Sequence, residues 1–269
     1  MHAQTPHEDS ALVFGHFRHA AKKKVVGQFE INLRVAKELQ RRWHSQECAL
    51  VCGTDGGLKD GIGTSGYTIY TNFDKTPLLE GHAAELQTSI SASSTRQELL
   101  GQLAIEYWLE HMTHTFGEPP GPVQIQLVTD SSASISILEK TTNRVGLKDV
   151  MTPDVEIALA ILHQRQKTPW TKFTAVKVQS HIDVTDAPDE FLWQVNFHSD
   201  RLATEAREKV KQQEMEASPP CLLDGMKVGC FINGNLVYTA LKDTVMAHLH
   251  SQTMKSYLQN KYMKQTSTA

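Results

Sequence analysis

The sequence has few cysteines, no long hydrophobic run and little net charge. Its 269 residues include four cysteines whose spacing is not that of a disulfide framework, so we expect reduced thiols. No apolar run approaches the roughly 20 residues of a bilayer-spanning helix, and the polar first ten residues lack a signal-peptide pattern. A net charge of −3 excludes a strongly basic protein that coats nucleic acid. These features predict a soluble intracellular protein, cytoplasmic or nuclear, without a membrane partner.

The composition divides the chain into three parts. Residues 1–45 hold a polar tail and a predicted helix over residues 29–43, where apolar side chains recur at helical spacing. Residues 46–215 form the predicted main domain, and a Ser-Pro-Pro linker follows it. Residues 216–269 form a C-terminal extension, with a predicted hairpin over residues 226–238 and a helical tail.

The main domain alternates between strand and helix patterns, which indicates an α/β fold. Its first two strands are predicted as a hairpin joined by a glycine-rich turn. The predicted strands cover residues 49–54, 65–71, 84–92, 123–128 and 173–179, and the predicted helices cover residues 95–112, 131–138, 153–166 and 195–213.

Four acidic residues lie where apolar runs meet polar turns or inside amphipathic stretches: Asp55, Glu98, Asp130 and Asp200. A single aspartate at a strand end is usually a turn former or a helix N-cap, so none of them is informative alone. Carboxylate oxygens are the ligands that hard divalent cations prefer. Four carboxylates gathered from distant parts of the chain therefore predict a metal site.

The segments around these acids resemble the motifs of ribonuclease H, of the type fused to reverse transcriptases and found as free cellular enzymes. The matching segments are Thr54-Asp55-Gly56-Gly57, Thr95-Arg96-Gln97-Glu98-Leu99, Thr129-Asp130-Ser131 and Asn196-x-x-x-Asp200-x-Leu202-Ala203. They occur in the family's order and in its element context. The resemblance implies a ribonuclease H-like fold, with a mixed five-stranded sheet whose first three strands are antiparallel, flanked by helices, and with small N- and C-terminal extensions.

The resemblance also implies a two-metal site that holds two Mg²⁺ ions, with Mn²⁺ as an alternative. Asp55 would bridge both ions, with Glu98 and Asp130 on one side and Asp200 on the other. A loop histidine, His181, would assist proton transfer and product release, for which an unperturbed imidazole pKa of about 6.5 is suitable. Asn196, one helical turn before Asp200, would orient that loop or the second metal.

The substrate implied by the resemblance is an RNA–DNA hybrid. Gly56 and Gly57, next to Asp55, would let the RNA strand approach the backbone closely. Ser94, Thr95 and Ser132 occupy positions where the family often has Asn or Gln in contact with the hybrid. Their side chains can still donate hydrogen bonds but have a shorter reach, so the restriction to hybrids is less firmly indicated than the metal site.

Three interpretations of the chain remain open at this stage. The first is a metal-dependent endonuclease that cuts the RNA strand of hybrids, derived from a retroelement and partnered by a reverse transcriptase or another polyprotein domain. The second is a catalytically silent module that binds nucleic acid or a protein partner; the presence of all four acids favours the enzyme. The third keeps catalysis but cuts DNA or structured RNA, and it ranks lower because transposase and integrase relatives typically have glutamate in place of Asp200.

Overall fold

The computed structural model describes residues 20–45, 48–87, 93–143, 154–179, 182–183, 185, 187–221, 223, 230–232, 235–237 and 245–256. The strands of its main sheet are β1 (Gln28–Ile31), β2 (Ala49–Lys59), β3 (Ile62–Thr71), β4 (Asp74–Leu86), β5 (Val123–Thr129) and β6 (Thr171–Lys177). The helices are α1 (Ala20–Val26), α2 (Leu33–Arg42), α3 (Ser94–Phe116), α4 (Ser132–Asn143), α5 (Val155–Arg165) and α6 (Glu190–Lys211). Strands β7 (Cys230–Ile232) and β8 (Asn235–Val237) form the predicted C-terminal hairpin, and residues 245–256 are helical.

The main sheet has the strand order β1-β4-β3-β2-β5-β6. Strands β2, β3 and β4 are antiparallel neighbours, whereas β5 and β6 continue the sheet in parallel with β2. The predicted α/β fold, a mixed sheet with three antiparallel strands first and helices packed on it, is confirmed. The sheet has six strands rather than five, because β1 from the predicted N-terminal segment pairs antiparallel with β4.

The single helix predicted over residues 29–43 is wrong in its first part. Gly27 has φ +65°, a conformation that glycine adopts readily, and it separates α1 from β1. The side chain of Asn32 then accepts hydrogen bonds from the backbone N–H groups of Arg34 and Val35, at 3.1 and 3.2 Å, and caps α2. The apolar spacing that predicted one helix therefore runs across a strand and a separate helix.

The bounds of two strands also differ from the prediction. Strand β2 continues to Lys59, well past the apolar run, because it stays paired with β3 up to a tight turn at Asp60 and Gly61. Both turn residues have positive φ, 55° and 75°, as a type I′ turn requires. The third strand of the predicted domain is β4, which runs from Asp74 to Leu86 and so starts ten residues before the predicted strand over residues 84–92; residues 88–92 lie outside the described ones.

The sheet separates a large core from a small one. Helices α1, α2, α3 and α5 cover one face, and their apolar side chains form the large cluster together with residues such as Cys52 and Tyr67 of the sheet. Helix α6 covers the other face over a small cluster that includes Val51, Val128 and Val195. Cys48 and Cys52 are buried and unbonded, as expected of reduced thiols, and burial raises the pKa of Cys48 to about 11. Of the helices that the structure describes, none has the length and apolar character needed to cross a membrane.

Candidate metal and nucleic-acid site

Two of the four predicted acids come from adjacent parallel strands. Asp55 lies inside β2 opposite Gly66, and not at the end of a strand as expected. Asp130 directly follows β5. The β2–β5 register pairs Gly53 with Val128, so extending it by two residues places Asp55 beside Asp130. Strand geometry alone therefore brings these two carboxylates together on the face that α6 covers.

Glu98 reaches the same place from α3, on the opposite face of the sheet. A Cβ atom on Gly56 would lie 2.4 Å from the backbone nitrogen of Glu98, so this glycine lets the start of α3 lie directly on β2. Thr129 Oγ1 donates a hydrogen bond to Glu98 Oε2 at 3.2 Å and orients the buried carboxyl group. The packing role explains Gly56 without a substrate; the predicted substrate contacts of Gly56 and Gly57 stay predictions.

The carboxylates converge at metal-ligand spacing. One oxygen each from Asp55, Glu98 and Asp130 lie within 4.8 Å of one another. Two ligands on opposite sides of a Mg²⁺ ion are about 4.2 Å apart, since each Mg–O bond is about 2.1 Å. Asp200 on α6 is outside this group of three, but its carboxyl group lies within hydrogen-bond reach of Asp55. The structure thus gathers all four predicted acids in one place.

Three carboxyl groups of this cluster lack an ion pair within the part of the chain that the structure describes. Among the described residues, no lysine or arginine forms an ion pair with Asp55, Glu98 or Asp130. Burial, followed by the neighbouring carboxyl groups of Asp200 and Asp130, raises the pKa of Asp55 to about 6, although a hydrogen bond with Glu98 lowers it. Burial and the charge of Asp55 hold the pKa of Glu98 well above its usual range. A divalent cation would supply the missing positive charge.

Asp130 does not serve as a helix cap. Ser131 takes that position, since its Oγ accepts a hydrogen bond from the backbone N–H of Ser134 at 3.2 Å. The backbone N–H of Ser131 in turn donates to Thr129 Oγ1 at 3.1 Å. The common structural role for an aspartate before a helix is therefore filled by another residue, and the Asp130 carboxylate is available for a ligand.

An open cleft of about 670 Å³ exposes the cluster to solvent. The predicted site residues that line it are Asp55, Gly56, Gly57, Ser94, Glu98, Asp130, Asn196 and Asp200. Thr95 and Ser132 do not line it, and their substrate contacts stay predictions. His181 lies outside the described residues, although Gln179 and Ile182 on either side of it line the cleft. The side-chain oxygen of Asn196 is buried and has no hydrogen-bond partner among the described residues, so it can accept one from a ligand.

The cleft residues on α6 that the sequence prediction missed include Trp193, Phe197 and Arg207. Trp193 lies three residues before Asn196, Phe197 lies three residues before Asp200, and Arg207 lies seven residues after Asp200, spacings that place them on one face of the helix. The sequence signals this spacing for Phe197 and Arg207, which lie on the predicted helix over residues 195–213, but not for Trp193, which precedes it.

A buried arginine anchors the start of α3, two residues before Glu98. Arg96 is 1% exposed, and its guanidinium group donates two hydrogen bonds to Glu85 of β4, at 2.7 and 3.2 Å, and one to Glu156 of α5. Asp154 lies 3.7 Å from the same group. Burial raises the pKa of Glu156 to about 7, even though the charge of Arg96 lowers it. The start of α3, with Glu98, is therefore held to both the sheet and α5.

Comparisons with known proteins give matches in solved structures. Neither a protein-family model nor a curated protein matches the chain. The N-terminal RNase H domain of Rv2228c from Mycobacterium tuberculosis is similar, with 19% identity, a TM-score of 0.40, and 62% of this chain and 99% of that chain covered. RNase H1 from Halobacterium salinarum is similar with 16% identity and a TM-score of 0.38, and the match covers 60% of this chain and 98% of that chain. LC11-RNase H1 in complex with RNA/DNA hybrid is also similar, with 18% identity and a TM-score of 0.39. The match covers 60% of this chain and 99% of that chain.

Proposed function

We propose that this chain is a metal-dependent endonuclease that hydrolyses the RNA strand of RNA–DNA hybrids. The observation that carries the proposal is the convergence of Asp55, Glu98 and Asp130, with ligand oxygens within 4.8 Å, at an open cleft. A cluster of carboxylates without paired cations is suited to hard divalent ions. The motifs around these acids support the hybrid as substrate, by their resemblance to ribonuclease H.

The carboxylate oxygens of the cluster are of the kind that Mg²⁺ binds, and we propose that the site takes two Mg²⁺ ions, with Mn²⁺ as the alternative. Asp55, Glu98, Asp130 and Asp200 would hold the ions. Bound there, the ions would activate a water molecule and neutralise charge on the phosphate. Asn196 supports the same assignment, since the residue lines the cleft and its buried side-chain oxygen has no hydrogen-bond partner among the described residues.

The protein's own groups position the ligands before any ion binds. The backbone N–H of Gly56 donates to Asp55 Oδ1 at 2.9 Å, and the Thr129 hydroxyl donates to Glu98. Such contacts fix ligand orientation, and their loss commonly costs 10- to 100-fold in metal affinity or activity. His181 is proposed to carry protons to and from the reacting oxygens, and Asn196 is proposed to orient its loop or a metal ligand.

The proposal also includes the origin, the partner and the cellular location of the protein. The resemblance to ribonucleases fused to reverse transcriptases supports an origin in a retroelement and a polyprotein domain as partner. An intracellular location, cytoplasmic or nuclear, agrees with that setting. Ser94 lines the cleft where the family often has a longer amide side chain, so discrimination between hybrid and other duplexes is expected to depend on further contacts.

Cleavage of an end-labelled RNA–DNA hybrid in Mg²⁺ or Mn²⁺ tests the proposal. We expect Asp130→Asn to lower the cleavage rate by about 1,000-fold or more, because a ligand oxygen is replaced by an amide nitrogen. Asp60→Asn is the matched control, since Asp60 lies in the β2–β3 turn and asparagine tolerates its positive φ. Double-stranded RNA and DNA test the substrate class.

Two results would contradict the proposal, and each would favour a different function. If the folded chain binds the hybrid but leaves it intact with both metals, the catalytically silent binding module replaces the enzyme. If double-stranded DNA or RNA is cut as fast as the hybrid, the assignment of a hydrolytic site is kept and the proposed preference for the hybrid is rejected.

A further inference from the structure

One face of α6 carries aromatic, acidic and basic side chains in succession along the cleft. Trp193 and Phe197 come first, Asp200 follows, and Arg207 lies about two turns further on. Residues three and four apart on a helix are neighbours, about 5–6 Å between Cβ atoms. The α6 face therefore places the ring of Phe197 within one helical turn of a carboxylate of the metal cluster, with the ring of Trp193 one turn further away.

The two rings are stacked in parallel. Their centroids lie 5.0 Å apart with an interplanar angle of 9°, whereas the other aromatic pairs among the described residues meet edge to face at 61° to 89°. Trp193 is fixed, because its indole N–H donates to the backbone carbonyl of Ile182 at 3.1 Å. Phe197 is 52% exposed, so much of its ring faces solvent on the cleft. The pair forms a flat apolar surface, and the hydrogen bond to Ile182 holds the ring of Trp193 behind that of Phe197.

Arg207 completes the face on the other side of Asp200. Its Nη2 donates a hydrogen bond to Thr204 Oγ1 at 3.3 Å, and in the described part of the chain it forms no ion pair. Its guanidinium group therefore keeps donors and charge for an anion in the cleft. A strand that crosses the carboxylates would meet a flat apolar surface in one direction and a cation in the other.

We propose that Phe197, backed by Trp193, stacks on an unpaired nucleobase of the substrate strand, while Arg207 contacts that strand's phosphate backbone. The inference rests on the proposed function, which supplies a nucleic-acid strand at the carboxylates. Base–aromatic stacking is the common way in which proteins hold single strands. The base must be unpaired, because a base within a regular duplex is stacked on its neighbours and cannot lie flat on a side chain. The preferred substrate is thus a hybrid with an unpaired residue next to the cleavage site.

The fluorescence of 2-aminopurine tests this stacking directly, since stacking on an aromatic ring changes its emission. One hybrid carries a single unpaired 2-aminopurine in the RNA strand, moved stepwise along it, and a second hybrid carries the same base fully paired. Both are titrated with the full chain bearing Asp130→Asn, which keeps the strand intact. Phe197→Leu then removes the ring, and Phe197→Trp restores one.

We expect Phe197→Leu to weaken binding of the unpaired-base hybrid by about 5- to 150-fold and to abolish the fluorescence change at one position. Phe197→Trp should keep the tight binding of the unpaired-base hybrid and the fluorescence change. The matched control is Phe29→Leu, since Phe29 is also an exposed phenylalanine, at 40%, but lies on β1 away from the cleft. Binding of the fully paired hybrid should be the same for all variants. Equal melting temperatures show that the variants fold alike.

The stacking proposal and the nuclease proposal can fail separately. If Phe197→Leu binds the unpaired-base hybrid as tightly as Phe29→Leu, or weakens the paired hybrid equally, stacking is overturned even where the unsubstituted chain cuts hybrids. If the fluorescence change depends on Phe197 but the unsubstituted chain cuts nothing, stacking holds and the nuclease proposal alone is lost.

Discussion

The hydroxyl group of Thr129 donates a hydrogen bond over 3.2 Å to Glu98 Oε2, which belongs to a residue 31 positions earlier in the chain. The bond joins the last residue of β5 to the first turns of α3, and both residues are buried. It also holds the carboxyl group of Glu98 toward Asp55 and Asp130, against the repulsion expected between like charges. Removing it should therefore affect metal binding more than folding.

The first prediction concerns Thr129→Val, which keeps the side-chain shape and removes the hydroxyl group. We expect the Mg²⁺ concentration for half-maximal cleavage to rise by about 10- to 100-fold, because Glu98 is no longer oriented. A Mg²⁺ titration of hybrid cleavage measures it. Thr129→Ser keeps the donor and should behave as the unsubstituted chain. An unchanged Mg²⁺ dependence of Thr129→Val would show that Glu98 does not need this contact.

The second prediction concerns pH and the metal-free fold. The folded-state pKa of Asp55, about 6, lies above its unfolded value near 3.8, because burial and neighbouring carboxyl groups favour the neutral form. Its stabilising contribution is therefore complete below about pH 4 and is lost as the pH rises through 6. Asp55→Asn does not lose this contribution as the pH rises. Without metal, the free energy of unfolding of Asp55→Asn, relative to that of the unsubstituted chain, should therefore be higher by about 2 kcal/mol at pH 7.5 than at pH 4.

Urea unfolding in the presence of a chelator, at both pH values, measures this difference, with Asp60→Asn as the control. Added Mg²⁺ should stabilise the unsubstituted chain and have a much smaller effect on Asp55→Asn, since a ligand that binds only the folded state raises stability. A stability gain that is the same at pH 4 and pH 7.5 would argue against a charge effect at Asp55.

The third prediction concerns Gly53, where β2 and α6 are in close contact. A Cβ atom there would lie 2.6 Å from both Ser199 Oγ and Val195 Cγ1, and 2.8 Å from the carbonyl oxygen of Val195. Gly53→Ala must therefore push α6 away from the sheet, and we expect a loss of about 1–3 kcal/mol in the free energy of unfolding. Cleavage should fall as well, because Asp200 moves with α6.

Thermal or urea unfolding of Gly53→Ala measures the loss. Gly121→Ala is the control, since a Cβ atom at Gly121 would meet nothing within 4 Å. Equal stability of the two variants would mean that α6 can shift at little cost, and the close contact would then not explain the position of Asp200.

The sequence predicted most of the central elements and the identity of the four acids. The remaining predicted helices and strands agree with the structure to within five residues at each end. Asp55 was placed at a strand end because the apolar run stops at Cys52, but cross-strand hydrogen bonds with β3 carry β2 on through polar and glycine residues. Apolar patterning reports burial, so it cannot show where a strand continues by pairing alone.

Other features were missed because they depend on contacts between distant residues. The pairing of β1 with β4 joins Glu30 to Glu80, and no local pattern reports it. A different reason applies to Phe197, which lies on the predicted helix over residues 195–213. On an amphipathic helix, aromatic residues are expected in the core, and only the structure shows that Phe197 faces solvent at the cleft.

The position of β1 at one edge of the sheet has a practical consequence for any shortened version of the chain. A fragment that begins at residue 46, the boundary predicted from composition, would leave the outer hydrogen-bonding groups of β4 unpaired along Gly81 and His82. It would also uncover the core that Val26, Leu39 and Trp43 fill. An open strand edge beside exposed apolar surface promotes pairing between molecules and aggregation. Fragments for biochemical work should therefore retain the residues from α1 onward.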